Sequence, residues 1–199
     1  MLPGIILAAG DSTRMGSPKA LLATPDGRSF VARIVGTLRE AGLEDLVVVT
    51  GRDHDQVVAA LERDGAAFRP RLARNPDPSR GQLSSLWVGM DAVANPSAPG
   101  VLVTLVDVPM VEVSTVRAVI EGWRRTGAPI VRPAIGDRHG HPVIFDHTVL
   151  EELRQAPVET GAKSVVRAHE RELLNIAVED QGCLVDVDTR EDYRRLQAE

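Results

Sequence analysis

The sequence is short of several things, and each shortage narrows what the chain can be. It has one cysteine, Cys183, among 199 residues. A lone thiol excludes an internal disulfide and suits a reducing compartment. No apolar run approaches the ~18 residues of a membrane span. The apolar start at 4–9 is short and has no basic segment before it, so it does not read as a signal peptide. A cytoplasmic protein without a membrane partner is expected. Basic groups are not in excess, with 23 Lys and Arg against 28 Asp and Glu and a formal charge of -5. Nucleic-acid binders need surplus positive charge to neutralise phosphates, so no nucleic-acid partner is expected. Internal repeats and low-complexity tracts are missing too. Lysine is scarce: 21 of the 23 basic residues are arginine, and only Lys19 and Lys163 are lysine. A GC-rich genome accounts for the arginine bias. The two lysines still merit inspection, because a compact ammonium and a planar guanidinium are not interchangeable.

What the chain does have is alternation. Residues 5–9, 46–50 and 101–106 are short apolar runs of the kind that form buried strands, and 68–73 is a weaker one. Between them, 29–41, 56–63 and 83–93 repeat apolar residues at helical spacing, and Gly42 closes the first. Residues 75–80, with two prolines, read as a loop. Further on, 130–131, 143–145 and 173–178 are strand candidates, and 149–154, 162–167 and 191–197 are helix candidates. Trp87 and Trp123 lie in helical patterns as packing residues. Alternating strands and helices imply right-handed crossovers and a three-layer, Rossmann-like α/β fold with a mainly parallel, mixed sheet. Nothing marks a domain boundary, so 1–199 is expected to be one domain of a size that buries roughly 70% of its unfolded surface. In such sheets ligands bind beyond the carboxyl ends of the strands. Chemical residues should therefore follow the apolar runs, and they do so after Ala9 and after Val106.

The densest signal is Leu7-Ala8-Ala9-Gly10-Asp11-Ser12-Thr13-Arg14-Met15-Gly16-Ser17-Pro18-Lys19. Small residues let the backbone approach a ligand and turn several N–H groups toward one point, which suits an anion, and Arg14 and Lys19 add two cations. This is not a P-loop. That motif has four residues between its glycines and then Lys-Ser/Thr, whereas five separate Gly10 from Gly16 and Lys19 follows a proline. Nor is it the G-x-G-x-x-G dinucleotide fingerprint.

The string Leu-Ala-Ala-Gly-x-Ser-x-Arg-Met-Gly-x-x-Lys resembles the signature of the MobA/MocA-like nucleotidyltransferases, which transfer a nucleotide onto molybdopterin. The resemblance runs from residue 4 to about 196. It implies that the loop from Ala8 to Gly16 wraps a triphosphate, with Arg14 and Lys19 balancing charge there and on the leaving pyrophosphate. Leu7 to Ala9 would then lie against the nucleotide.

Four other segments resemble family stations. Residues 101–109 form an apolar strand ending in Asp107-Val108-Pro109, and a carboxylate there suits Mg²⁺, which takes one or two carboxylates plus phosphate oxygens. Residues 81–89 resemble the segment that meets base and ribose, where Ser84 or Ser85 bonds a base edge or caps a helix. Residues 136–143 resemble a Gly-His-Pro station, where Arg138 and His141 would receive a phosphorylated acceptor. A zinc site there lacks a third ligand at suitable spacing. Residues 186–192 open the last helix, with Thr189 as N-cap and Asp192 in the capping-box position, and Asp188, ahead of Asp186, as a second metal ligand. Lys163 either helps bind acceptor or occupies an exposed helix turn. The sequence departs from the family pattern at His139, inserted before Gly-His-Pro, and at Arg190, where proline is common.

The reaction implied is in-line attack by an acceptor phosphate oxygen on the α-phosphorus of a nucleoside triphosphate, with pyrophosphate leaving. The nucleophile is already an anion, so alignment and charge neutralisation matter more than a general base. The Leu-Ala-Ala-Gly form and the Gly-His-Pro station are more similar to the cytidylyl-transferring side than to the guanylyl-transferring side, making CTP the expected donor over GTP. Molybdopterin is the implied acceptor, with contact to a molybdoenzyme or its maturation chaperone. Transfer to a sugar or polyol phosphate, or a poorly active nucleotide-binding accessory role, are the alternatives. Pyrophosphate release separates an enzyme from a binder.

Overall fold

The computed structural model describes residues 1–10, 16–64 and 68–198. Among them eight strands and seven helices follow in the order β1 (Gly4–Ala8), α1 (Phe30–Glu40), β2 (Leu46–Thr50), α2 (His54–Arg63), β3 (Arg71–Arg74), α3 (Gln82–Ala92), β4 (Gly100–Leu105), α4 (Val113–Thr126), β5 (Ile130–Ile135), β6 (Arg138–His139), β7 (Val143–Asp146), α5 (Leu150–Gln155), α6 (Lys163–Ala168), β8 (Leu174–Ala177) and α7 (Arg190–Ala198). The sheet runs β3-β2-β1-β4-β7-β5-β6, and β8 also pairs with β5.

Two connection types explain the mixed sheet. β1, β2, β3 and β4 are joined through helices and pair in parallel, Ile5 opposite Val47 and Val103. No helix separates β5, β6 and β7, so the chain doubles back and pairs antiparallel, with Val131 opposite Ile144. Strands joined by a tight connection must run antiparallel, whereas parallel neighbours need a longer crossover. The segment 136–143, read above only as an acceptor station, is thus also a hairpin, turning at Gly136 with φ 58°.

Side-chain alternation sorts the strands into two cores, because successive residues face opposite sides of the sheet. Ile5, Leu7, Val47, Val49, Val101 and Val103 face α3 and the α5–α6 region, where Leu83, Leu86, Leu153 and Val165 cover them. Ile6, Val48 and Leu102 face Phe30, Ile34, Leu38, Val116 and Val119 of α1 and α4. β2 is buried at all five positions, so its sequence shows a continuous β-branched run rather than alternation.

Of α4, only Trp123 is expected in a helical pattern, and no bounds for the helix are expected. Its buried residues Val116, Val119, Ile120 and Trp123 fall at i, i+3, i+4 and i+7, the spacing of an amphipathic helix, and Gly127 ends it at φ 63°. Expected boundaries elsewhere hold within a few residues. Ser29 caps α1 by accepting from the Ala32 amide at 3.4 Å.

Candidate active site

The first cavity, about 180 Å³, lies beyond the carboxyl ends of β1 and β4. Leu7, Ala8, Ala9, Gly10, Lys19, Ser85 and Asp107 line it, and all seven were singled out in the sequence. Ser12 and Arg14 lie outside the described residues. Gly16 has φ 72°, a left-handed backbone that glycine adopts without strain, and it is not part of the cavity wall.

Each wall has a local cause. After β4 the chain turns, with the Val108 amide donating to the Leu105 carbonyl at 3.3 Å and the Val106 amide to the Leu7 carbonyl at 3.0 Å. This projects Asp107 from a strand end. The C-terminal segment is then stitched alongside: the Val187 amide donates to the Asp107 carbonyl at 2.8 Å. With the Lys19–Asp188 contact and the His141 amide on the Cys183 carbonyl, that bond keeps Asp186 and Asp188 beside Asp107. Thr189 and Asp192 form the expected capping box. The Thr189 amide donates to the Asp192 carboxylate at 2.9 Å, and the Asp192 amide donates to the Thr189 hydroxyl oxygen at 3.2 Å. A three-residue 3₁₀ turn over Lys19–Leu21 supplies the lysine, its backbone held by the Leu21 amide on Pro18 and the Leu22 amide on Lys19.

The electrostatic centre is a triad of charges. The Lys19 ammonium donates to Asp107 Oδ2 at 3.1 Å and also to Asp188 Oδ1. Burial works against the charged lysine, but the hydrogen bond to Asp188 and the charge of Asp107 outweigh it and raise its pKa. Burial raises the pKa of the Asp186 carboxyl, and the neighbouring Asp107 and Asp188 charges add to the effect. Of the two C-terminal aspartates, Asp188 is the one whose carboxylate the Lys19 ammonium meets.

The residues fit a divalent cation. Asp107 Oδ1 is buried and has no hydrogen-bond partner, and the Lys19 ammonium already sits as a cation between the two carboxylates. Among the described residues no three His, Cys, Asp or Glu side chains converge on one point. Two carboxylates suffice for Mg²⁺ when phosphate and water oxygens complete its shell.

The serines divide. The buried Asn75 amide donates to Ser84 Oγ at 3.0 Å and Ser85 Oγ at 2.9 Å, and Ser84 Oγ donates back to the Gly81 carbonyl at 2.7 Å. Ser84 is thus occupied inside the first turn of α3, and Ser85 is the one that reaches the cavity wall. Asn75 escaped the sequence reading, although it follows a strand directly and so satisfied the rule applied after Ala9 and Val106. Gln82 escaped it as well. It follows Gly81, whose φ of 98° turns the chain into α3.

A second cavity, about 470 Å³, adjoins the first and shares Leu7, Gly81, Gln82 and Leu105 with it. Its other walls are mostly apolar, with Leu86, Val103, Phe145 and Val158, and its polar members include His141 and Lys163. His141 is fixed by its amide donating to the Cys183 carbonyl at 3.0 Å. A side chain at Gly140 would meet that same carbonyl, an added Cβ falling 1.9 Å from its oxygen, so only glycine permits this approach. Burial pulls the His141 imidazole below the usual histidine range, against a backbone hydrogen bond to Val103 and the Asp107 charge, and Nδ1 has no partner. A neutral imidazole is a hydrogen-bonding group at this wall, not a cation for a phosphate. Arg138, by contrast, is exposed on the hairpin and belongs to neither cavity lining.

A Rossmann-like sheet with an anionic pair and a lysine at its switch point defines a nucleotide-handling α/β domain. The chain belongs to the family described as the MobA-like NTP transferase domain, which matches residues 4–173. A probable molybdenum cofactor guanylyltransferase of Rhodopirellula baltica is 29% identical over 65% of this chain and 59% of its own length. The nicotine blue oxidoreductase of Paenarthrobacter nicotinovorans is 33% identical over 97% of this chain and 95% of its own. Among solved structures, Rv0371c of Mycobacterium tuberculosis H37Rv superposes with TM-score 0.82 at 32% identity, covering 100% of this chain and 98% of that one, and has also been solved in complex with manganese. The chain spans between 25% and 59% of the length of the first curated relatives it matches. No helix among the described residues is long and apolar enough to cross a membrane.

Proposed function

We propose that the protein is a nucleotidyltransferase that moves a nucleoside monophosphate from a triphosphate to a phosphorylated acceptor and releases pyrophosphate. One observation carries this reading: a cavity beyond the strand ends, lined by Lys19 and Asp107 with Asp188 on the same ammonium, shares four wall residues with a second, larger cavity, so two ligands would bind side by side. The donor triphosphate would lie along Leu7 to Gly10 and Gly16, with Ser12, Arg14 and Lys19 on its phosphates and Ser85 toward the nucleoside. Ser84 supports that wall through Asn75. Asp107 and Asp188 would hold Mg²⁺, which when bound neutralises phosphate charge and orients the leaving group.

In the transfer an acceptor phosphate oxygen forms a bond to the α-phosphorus while the bond from that phosphorus to the bridging oxygen of pyrophosphate breaks. The chain contributes position and charge, not a proton acceptor, because the nucleophile arrives as an anion. Lys19 and Arg14 balance the charge that accumulates on pyrophosphate. His141 and Lys163 line the acceptor side, with Arg138 at its outer approach. CTP is preferred to GTP as donor and molybdopterin is the acceptor, which places the protein in molybdenum cofactor biosynthesis in the cytoplasm, in contact with a molybdoenzyme or its chaperone. The family and the molybdenum cofactor relative, itself a guanylyltransferase, support the molybdopterin acceptor; the preference for CTP rests on the Leu-Ala-Ala-Gly and Gly-His-Pro segments of the sequence.

The test is a pyrophosphate-release screen of CTP, GTP, ATP and UTP against molybdopterin and a panel of sugar phosphates. Stoichiometric pyrophosphate with CTP and molybdopterin is expected. Release with a sugar phosphate alone would transfer the protein to the sugar-phosphate side of the superfamily. Absence of release with every pair would leave a nucleotide-binding accessory protein.

A further inference from the structure

We propose that Lys19 holds the place of the divalent cation between Asp107 and Asp188, and yields it only when a triphosphate draws the ammonium away. Metal therefore binds weakly to the free protein and tightly together with nucleotide. This rests on the reading of Asp107 and Asp188 as the metal pair and adds the order and coupling of the two ligands.

The geometry is that of direct competition. The Lys19 ammonium donates to Asp107 Oδ2 at 3.1 Å and to Asp188 Oδ1, so the lone pairs a metal would take are spent on N–H bonds. A dication entering between the same carboxylates would face a positive charge a few ångströms away, in a site where the lysine side chain is only 14% exposed and water screens it poorly. The fit of the ammonium is incomplete, because Asp107 Oδ1 stays buried without a partner. A metal, with more coordination positions than an ammonium has protons, can satisfy an oxygen that the lysine leaves bare.

The lysine is also built to leave. Its backbone is pinned by the 3₁₀ turn, in which Ala20 is buried, so the ammonium can be moved by rotation of a flexible four-carbon stem. Its side chain lines the same cavity as Ala8, Ala9 and Gly10, so phosphates held by that loop fall within its reach. Moving the ammonium onto phosphate removes the competitor and supplies oxygen ligands for the metal in one event. Linkage then requires that metal tighten nucleotide by the factor by which nucleotide tightens metal.

The experiment is a titration of the whole protein with Mn²⁺, without nucleotide, read by the electron paramagnetic resonance signal of free Mn²⁺. Lys19→Met and Lys19→Gln are compared with wild type, after far-UV circular dichroism confirms that each is folded. Both variants are expected to bind Mn²⁺ at least about tenfold more tightly than wild type, since the competing charge is gone. Adding Asp107→Asn to Lys19→Met should erase the gain. Lys19 variants that bind Mn²⁺ no better than wild type, while Asp107→Asn still abolishes binding, would overturn the competition and leave the metal pair standing. A gain that survives Asp107→Asn would overturn the pair itself. Neither outcome depends on pyrophosphate release, so failure of the transfer reading is separately visible.

Discussion

The two cavities on either side of the start of α3 share four lining residues and differ in almost everything else. The smaller is edged by charge: Lys19 and Asp107 line it, and the Lys19 ammonium also meets Asp188 beyond the lining, three groups from distant parts of the chain. The larger is organised by shape: Leu86, Val103, Phe145 and Val158 give it an apolar wall, and its one lysine, Lys163, is exposed on a short helix. A site that must hold the same triphosphate phosphates in every turnover can be rigid and ionic. A site that selects among acceptors gains more from contour, because charge attracts phosphates of every kind whereas an apolar wall disfavours hydrated ones.

The contrast can be broken most severely at Asp107. Asp107→Ala should lower metal-dependent pyrophosphate release by at least about a hundredfold, because it removes a preorganised charge at the reacting phosphates. Retention of most activity in a steady-state pyrophosphate assay would take Asp107 out of the metal role. Next in size is Lys19→Arg, which keeps the charge but replaces a compact ammonium with a planar fork. It is expected to cut kcat/KM for the triphosphate about tenfold with acceptor KM unchanged. Wild-type kinetics would reduce Lys19 to a generic cation.

The acceptor side should respond differently. Val158→Asp places a charge on the apolar wall and should raise acceptor KM about fivefold, the equivalent of ~1 kcal/mol of lost apolar burial, with triphosphate KM untouched. A matching rise in triphosphate KM would show that the two cavities are one site. The smallest effect is reserved for Thr189→Ala. Loss of the capping box should cost about 1 kcal/mol and lower Tm by roughly 2–4 °C in a domain of this size, measured by thermal unfolding. A larger fall in activity than in stability would show that α7 also sets the position of Asp188.

The same division governs what the sequence revealed. The first half was legible because its signals are local. A strand followed by small residues, Lys19, and an apolar run ending in Asp107 are each complete within a few residues of sequence, and seven of the candidate residues line one cavity. The capping box at Thr189 and Asp192 was legible for the same reason. The long-range parts were not. Asn75 is one polar residue in a proline-rich loop until the fold brings Ser84 and Ser85 to its amide. Arg138 and His141 are close neighbours in the chain, yet the hairpin exposes one and encloses the other. The helix α4 carries an amphipathic spacing, but its valines and isoleucine suit a strand as well as a helix, so the segment alone is ambiguous.

The bond from the Val187 amide to the Asp107 carbonyl has a bearing on where the working unit ends. The family match stops at residue 173, before β8, α7 and Asp188. A chain cut at that border would keep β1 to β4 and both cavity floors, yet Lys19 would face one carboxylate instead of two. Such a fragment is predicted to retain a nucleotide shelf while losing its grip on the cation. The last two dozen residues are thus a clasp, and a boundary drawn from family matching alone would leave it open.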